Sequence, residues 1–475
     1  MEKLFGTDGM RGVAGRFPLD AATVRAAGYS LARRLAAQTD HAPTIVTGRD
    51  TRESGAWIER ALTEGAREGG AACESAGVIT TPGVAYLART LPADAGIVIS
   101  ASHNPYRDNG IKIFAPSGRK LDDATERLVE ADIYEQRRSQ PQPAGGGVNQ
   151  SDAPAKPDAD SNGDGAHDDA RSSPLAARYL DYIAGEIGRG LDLKNLSLVV
   201  DCANGAACGF APEVFRRLGA RVASINDAPD GRNINHECGS LFVERLRDHV
   251  AARGADLGVA FDGDADRALF VDARGTVVDG DATLWVMANH FDARGELAGR
   301  KVVATVMSNL GLELALKSRG MELARARVGD KYVLEDLLLT GATLGGEQSG
   351  HIIFPRVSLA GDGLITTLFL LRALQGSQQP LHALTEGFTR YPQTLVNVRV
   401  AAKRPFEDVP EIAEGARRIE ARLAGEGRLL LRYSGTEPLA RVMIEGRRQE
   451  EIEALASELA AVIRDSLGAG DDGAA

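Results

Sequence analysis

Short runs rich in β-branched residues recur along this 475-residue chain, and segments with helically spaced apolar residues follow them. That alternation admits few architectures, all of them a sheet covered by helices and built up in successive α/β rounds. The first round predicts helices over 21–37 and 54–68 about a strand at 44–47, then a buried strand at 95–99, a short strand at 111–114 and a charged helix over 122–138. A second round predicts a helix near 176–185, strands at 196–201, 221–225 and 257–261, and helices over 211–218 and 243–252. A third pairs a strand at 301–306 with helices over 312–318, 331–339 and 361–374. Beyond residue 390 the order becomes strand 395–400, helix 405–423, strands 428–433 and 439–445, and helix 450–467. Ile452, Leu455, Leu459, Val462 and Ile463 give that last helix an apolar face. The expected fold is α/β, with three similar mixed-sheet domains over 1–140, 175–279 and 280–390 and a smaller C-terminal α+β domain over 391–475.

Residues 141–174 break the pattern, because Pro, Gly, Ser, Asn and Asp dominate and almost no large apolar side chain is present to offset the entropy of ordering. The segment reads as a disordered insertion. Asp158, Asp160, Asn162, Gly163, Asp164 and Asp169 inside it follow calcium-loop spacing. Gly165 in place of an apolar residue, and the lack of flanking helical patterns, argue against calcium. Residues 468–475 read as a frayed tail.

Composition excludes several classes. A net charge of -11 argues against bulk nucleic-acid binding, while leaving room for a local basic cleft. No apolar run reaches membrane-spanning length, and the N-terminus lacks a signal-peptide core. Cys73, Cys202, Cys208 and Cys238 show no CxxC spacing and read as free thiols of a cytoplasmic protein.

Four loops carry the chemistry. The strand at 95–99 stops in Ser100-Ala101-Ser102-His103-Asn104-Pro105, which displays Ser102 at a strand end with His103 beside it and Lys112 a few residues on. The strand at 257–261 runs into Asp262-Gly263-Asp264-Ala265-Asp266-Arg267, whose three carboxylates would repel one another without a cation. Oxygen-only donors of this kind suit magnesium, and Arg267 could pair with the acids or face a phosphate. Glu347, Ser349 and His351 sit on a glycine-flanked loop suited to reading sugar hydroxyls. Arg432, Ser434, Gly435 and Thr436, with Arg441 following, have the parts of a phosphate cradle. The N-terminal Gly6-to-Gly12 stretch with Arg11 reads equally as a phosphate-approaching loop or a plain turn. The four loops fall in four domains, so the site is expected in a central cleft among them, and the set implies phosphoryl transfer on a phosphorylated sugar with a metal assisting.

With these loops in view, the chain resembles the α-D-phosphohexomutases. The resemblance rests on FGTDGMRG at 5–12, ISASHNPYRDNGIKIF at 99–114, DCANGAA at 201–207, FDGDADR at 261–267, VGDKYVLE at 328–335, GEQSGH at 346–351 and RYSGTEPLARVMIEG at 432–446. It implies that Ser102 is a phosphorylated nucleophile and that Asp262, Asp264 and Asp266 hold one Mg2+ per chain, with the serine phosphate as a further ligand. It also implies that Arg11, Lys112 and Arg267 neutralise the phosphoserine and transition state. Glu347 and Ser349 would read sugar hydroxyls, Lys331 and His351 would join them in binding the substrate, and Arg432, Ser434, Gly435, Thr436 and Arg441 would hold the phosphate that is not transferred. His103, His351 and Lys331 remain alternative general bases. The glutamine of GEQSGH favours the glucosamine branch, hence interconversion of glucosamine 6-phosphate and glucosamine 1-phosphate through a bound glucosamine 1,6-bisphosphate, feeding cell-wall precursor synthesis. The same chemistry on mannose or glucose phosphates is the alternative. The implied partner is a small phosphosugar, with no nucleic acid or membrane and with room for a homodimer. Two departures stand out: Leu241-Phe242-Val243 where a Thr-His-Pro-like continuation is expected, and Ala265 where a glycine is common.

Overall fold

The structure, a computed structural model, describes residues 3–6, 8–139, 173–434 and 437–468. The calcium-like spacing at 158–169, most of the insertion, Gly435 and Thr436 lie outside the described residues. Two compact units are present, Met1–Val303 with Ala326–Thr385, and Ala304–Arg325 with Glu386–Ala475.

The first unit contains a six-stranded sheet in the order Phe5–Gly6, Gly9–Val13, Asp108–Phe114, Ala95–Ile99, Thr44–Arg49, Ala72–Val78. Its central strands carry the β-branched runs and are buried on both faces, as strands covered by helices must be. The antiparallel Asp108–Phe114 strand pairs Lys112 with Val98 and Gly110 with Arg11, so both cations are set by sheet register. The N-terminal glycine-rich stretch is thus a two-stranded edge of this sheet rather than a plain turn. The predicted strand at 111–114 is longer, because Asp108 and Asn109 join the ladder with Val13 and Gly12.

A five-stranded sheet follows in the order Val277–Val278, Ala268–Asp272, Leu257–Phe261, Ser197–Asp201, Arg221–Ile225. Leu257–Phe261 is fully buried and lies parallel to Ser197–Asp201 and antiparallel to Ala268–Asp272. A third sheet has four strands and includes the hairpin Gly345–Gly346 with Ile352–Ile353, whose turn carries Glu347 to His351.

Several elements depart from the sequence reading. The helix Thr81–Thr90 is present although Pro82 and Gly83 open it: Pro fits the first helical turn, and Thr80 accepts a hydrogen bond from Gly83 N. Ala72–Val78 lacks a β-branched run and is largely solvent-accessible because it is an edge strand. The helix expected near 176–185 is α-helical over Pro174–Asp181 and π-helical over Tyr182–Ile187. The helix expected over 405–423 starts at Pro410, preceded by a 3-10 turn at Phe406–Asp408.

In the second unit, Gln393–Arg399, Leu439–Glu445 and Arg428–Tyr433 form a three-stranded antiparallel sheet. Helices Pro410–Leu423 and Gln449–Leu467 cover it through Ile412, Ile419, Ile452, Leu455, Leu459 and Ile463. The architecture is therefore three mixed-sheet α/β domains and a small C-terminal sheet domain. No helix among the described residues is long and apolar enough to cross a membrane.

Candidate active site

Two strand ends meet in the first unit. Ala95–Ile99 delivers Ser102, and Leu257–Phe261 delivers Asp262. Ser102 adopts φ 51, in the left-handed region unfavourable for a non-glycine residue, and it is 1% exposed. Its hydroxyl donates to Asp262 Oδ2 at 2.6 Å and lies 3.3 Å from His103 Nδ1. Arg52, whose guanidinium is fully buried against Asp50, donates to the carbonyls of Ser102 at 3.1 Å and Asn104 at 2.6 Å. Asn235 Nδ2 donates to the same two carbonyls at 2.9 and 3.1 Å. Four hydrogen bonds thus hold the serine turn in its strained form. A Cβ on Gly263 would lie 2.6 Å from Ser102 O and 2.8 Å from Asn235 Nδ2, so the close approach of the two loops requires glycine there.

Asp262, Asp264 and Asp266 are buried, and one carboxylate oxygen from each lies within 4.8 Å of the others. Ala265, with φ 56, makes the turn that converges them. Burial, then the neighbouring Asp266 and Asp264 carboxylates, pushes the Asp262 carboxyl far above its ordinary range. Burial acts the same way on Asp266, but Lys112, His351 and Arg267 outweigh it and hold that carboxyl well below the range. Asp264 Oδ1 and Asp266 Oδ1 are buried and accept no hydrogen bond. Three hard oxygen donors, two of them with orphaned atoms, fit a magnesium ion.

Lys112, 1% exposed, reaches Asp264 at 2.9 Å, Asp8 at 3.2 Å and Asp266 at 3.6 Å. Thr81 donates to Asp264 Oδ2 at 2.6 Å. Arg267 Nε lies 4.0 Å from Asp262 and 3.8 Å from Asp266 without a hydrogen bond, and Arg11 Nε also makes none while the guanidinium pairs with Asp8. Burial, with Arg267 and Arg11 nearby, pushes His103 down to about 4, so its ring is neutral at pH 7. Burial opposes charge on His351 too, but Asp266 at 3.6 Å and Asp330 at 3.8 Å raise it to about 9. Glu347 Oε1 accepts from Gly329 N at 3.1 Å, and Ser349 donates to Glu347 Oε2 at 3.3 Å. Lys331 pairs with Asp123.

The structure thus brings Ser102, His103, Lys112, Arg267, the three aspartates and His351 into one connected set, with Arg11 joined through Asp8. Arg432, Ser434 and Arg441 belong to the second unit. Arg432 faces Arg441 directly across two antiparallel strands, a like-charge pairing that an anion would relieve. Burial, then Arg441, lowers the Arg432 guanidinium below its usual range. Ser434 Oγ accepts from Arg441 Nη2 at 3.2 Å, and Lys403 Nζ donates to Ser434 O at 2.6 Å.

Sequence reasoning missed Asp50, Arg52, Thr81, Asn235, Asp8, Lys120, Asp330 and Lys403. The Asp50 and Arg52 pair directly after a buried strand was the available signal, and the others become visible only through distant contacts.

Four family profiles match in order: phosphoglucomutase/phosphomannomutase alpha/beta/alpha domain I over residues 2–140, domain II over 177–275, domain III over 279–391 and the C-terminal domain over 395–462. A protein of Solibacter usitatus named phosphoglucosamine mutase is 48% identical over 98% of this chain and 99% of its own. One of the same name from Syntrophotalea carbinolica is 44% identical over 98% of each. Among solved structures, a phosphoglucomutase/phosphomannomutase family protein from Burkholderia thailandensis is similar with a TM-score of 0.76 and 25% identity, covering 98% of this chain and 97% of that one.

Proposed function

Because the chain belongs to the phosphoglucomutase/phosphomannomutase family, the α-D-phosphohexomutases, we propose that it interconverts glucosamine 6-phosphate and glucosamine 1-phosphate in the cytoplasm. The observation that carries the reading is the Ser102 hydroxyl at 2.6 Å from one of three converging aspartates. Full-length relatives named phosphoglucosamine mutase support the choice of sugar.

In this reading Ser102 is an intramolecular phosphate carrier. Phosphoserine 102 gives its phosphoryl group to O1 of glucosamine 6-phosphate: the P–Oγ bond breaks, a P–O1 bond forms, and the O1 proton leaves to a base. The resulting glucosamine 1,6-bisphosphate turns over, and its O6 phosphoryl group returns to Oγ: the P–O6 bond breaks, a P–Oγ bond forms, Oγ gives up the proton it took on release, and O6 takes one up, leaving glucosamine 1-phosphate. Asp262, Asp264 and Asp266 would hold magnesium, which would supply charge neutralisation to the transferring phosphoryl group. Lys112, Arg267 and Arg11 add preorganised positive charge on the protein's side. Neutral His103, beside Oγ, can take a proton at a ring nitrogen, whereas protonated His351 can donate one. Lys331 is the third candidate for proton transfer. Glu347 and Ser349 offer acceptor and donor atoms to sugar hydroxyls. Arg432, Ser434, Gly435, Thr436 and Arg441 hold the phosphate at rest, in either orientation of the sugar.

Phosphorus NMR of the protein, primed with glucosamine 1,6-bisphosphate and supplied with magnesium and each of the glucosamine, mannose and glucose 6-phosphates, tests the reading. Fastest formation of the 1-phosphate from the glucosamine substrate is expected. A preference for mannose or glucose phosphate would move the assignment to that sugar, and turnover of none would overturn it.

A further inference from the structure

Lys120 was not singled out by any motif, yet it bridges two carboxylates that border the site. Its ammonium donates to Asp8 Oδ1 and to Asp330 Oδ2, each at 2.6 Å, across sequence separations of 112 and 210 residues. Each carboxylate then touches one of the cations that contact the metal-loop aspartates. Asp8 Oδ2 lies 3.2 Å from Lys112, and Asp330 Oδ2 lies 3.8 Å from His351 Nε2. Lys112 continues to Asp264 and Asp266, and His351 continues to Asp266. Lys112, Asp8, Lys120, Asp330, His351 and Asp266 therefore close a ring of alternating charge, and all six border a cavity of about 460 Å³.

The backbone fixes where Lys120 stands. Its turn folds back on the strand that carries Lys112: Ala115 N donates to Arg119 O at 2.8 Å, Leu121 N to Ile113 O at 2.8 Å, and Phe114 bridges Lys120 antiparallel. Asp330 opens the helix Asp330–Thr340, and its Oδ1 accepts from Lys331 N at 2.8 Å. Lys120 and Asp330 are thus held by secondary structure.

We propose that Lys120 is a positioning residue, whose bridge between Asp8 and Asp330 keeps Lys112 and His351 aimed at the metal-loop carboxylates. Without it, Asp8 and Asp330 lose their nearest shared cation and compete with Asp264 and Asp266 for Lys112 and His351. A displacement of about 1 Å at reacting groups costs roughly 100-fold in rate.

This inference rests on the proposed mutase reading. The test is steady-state kinetics of the magnesium-loaded protein, primed with glucosamine 1,6-bisphosphate, on glucosamine 6-phosphate for wild type, Lys120→Met, Lys120→Arg and Asp330→Asn, with circular dichroism of each. Lys120→Met is expected to lower kcat about 10- to 100-fold with KM within about threefold, and Lys120→Arg to recover most of the loss. Asp330→Asn, nearly the same shape, is expected to lower kcat alone, and it decides the matter if Lys120→Met does not fold. A wild-type kcat in either folded variant, or a loss carried by KM, would overturn the bridge. Inactive wild type would instead overturn the mutase reading.

Discussion

The Ser102 hydroxyl and the Asp262 carboxylate, 160 residues apart in sequence, share a 2.6 Å hydrogen bond in which both groups are buried. The contact joins the first two α/β domains at the ends of their central strands. It also places a nucleophile-sized oxygen at the edge of a group of three carboxylates that burial makes costly to ionise together.

That cost makes the first prediction one about metal. Magnesium titrated into chelator-treated protein is expected to raise the melting temperature and restore activity. At 100 times Kd the added stability is about 2.7 kcal/mol. Asp264→Asn is expected to weaken both effects, and a melting temperature indifferent to magnesium in the wild type would contradict the site.

Gly263→Ala places a methyl 2.6 Å from Ser102 O and forces the two loops apart. Activity is expected to fall by roughly 100-fold or more. Far-ultraviolet circular dichroism should stay unchanged, because the strands on either side are unaffected. Wild-type kcat in this variant would show that the loops need not touch.

The facing Arg432 and Arg441 in the second unit give a different signature. Binding to a phosphate that is not transferred is felt equally in ground and transition states. Arg441→Ala is therefore expected to raise KM for the sugar phosphate about tenfold or more, with kcat changed much less. A kcat-only loss would assign Arg441 another role.

Asp362 makes stability depend on pH. Burial raises its carboxyl to about 6, against the opposing effect of hydrogen bonds from Ile365 N, Tyr179 and Leu364 N. A carboxyl raised on folding contributes stability below its unfolded value, near 3.9, and that stability is lost as pH climbs through about 6. The contribution between those limits is on the order of 2–3 kcal/mol. Denaturant unfolding at pH 5 and pH 7 should show wild type losing more stability at the higher pH than Asp362→Asn. Equal pH dependence in the two proteins would remove Asp362 as its source.

Much of the site was legible because chemistry was concentrated at strand ends. A β-branched run stopping at Ser100 and another stopping at Asp262 mark turns at a sheet edge, and three carboxylates at alternate positions need a cation wherever they lie. The helix Thr81–Thr90 was hidden by Pro82 and Gly83, which break most helices but suit a first turn. Thr81, on that helix, was lost with it. The joint role of Asp8, Lys120 and Asp330 was illegible for another reason: Asp8 and Asp330 stand in separate motifs and Lys120 in none, and only folding brings the three within hydrogen-bond reach.

Intact-mass spectrometry of the purified protein, after incubation with magnesium and glucosamine 1,6-bisphosphate, tests the phosphate-carrier role of Ser102 most directly. The wild type is expected to gain the mass of one phosphoryl group, localised to Ser102 by fragmentation, while Ser102→Ala gains none and loses mutase activity. Full activity in Ser102→Ala, with no serine-linked phosphate in the wild type, would contradict the account.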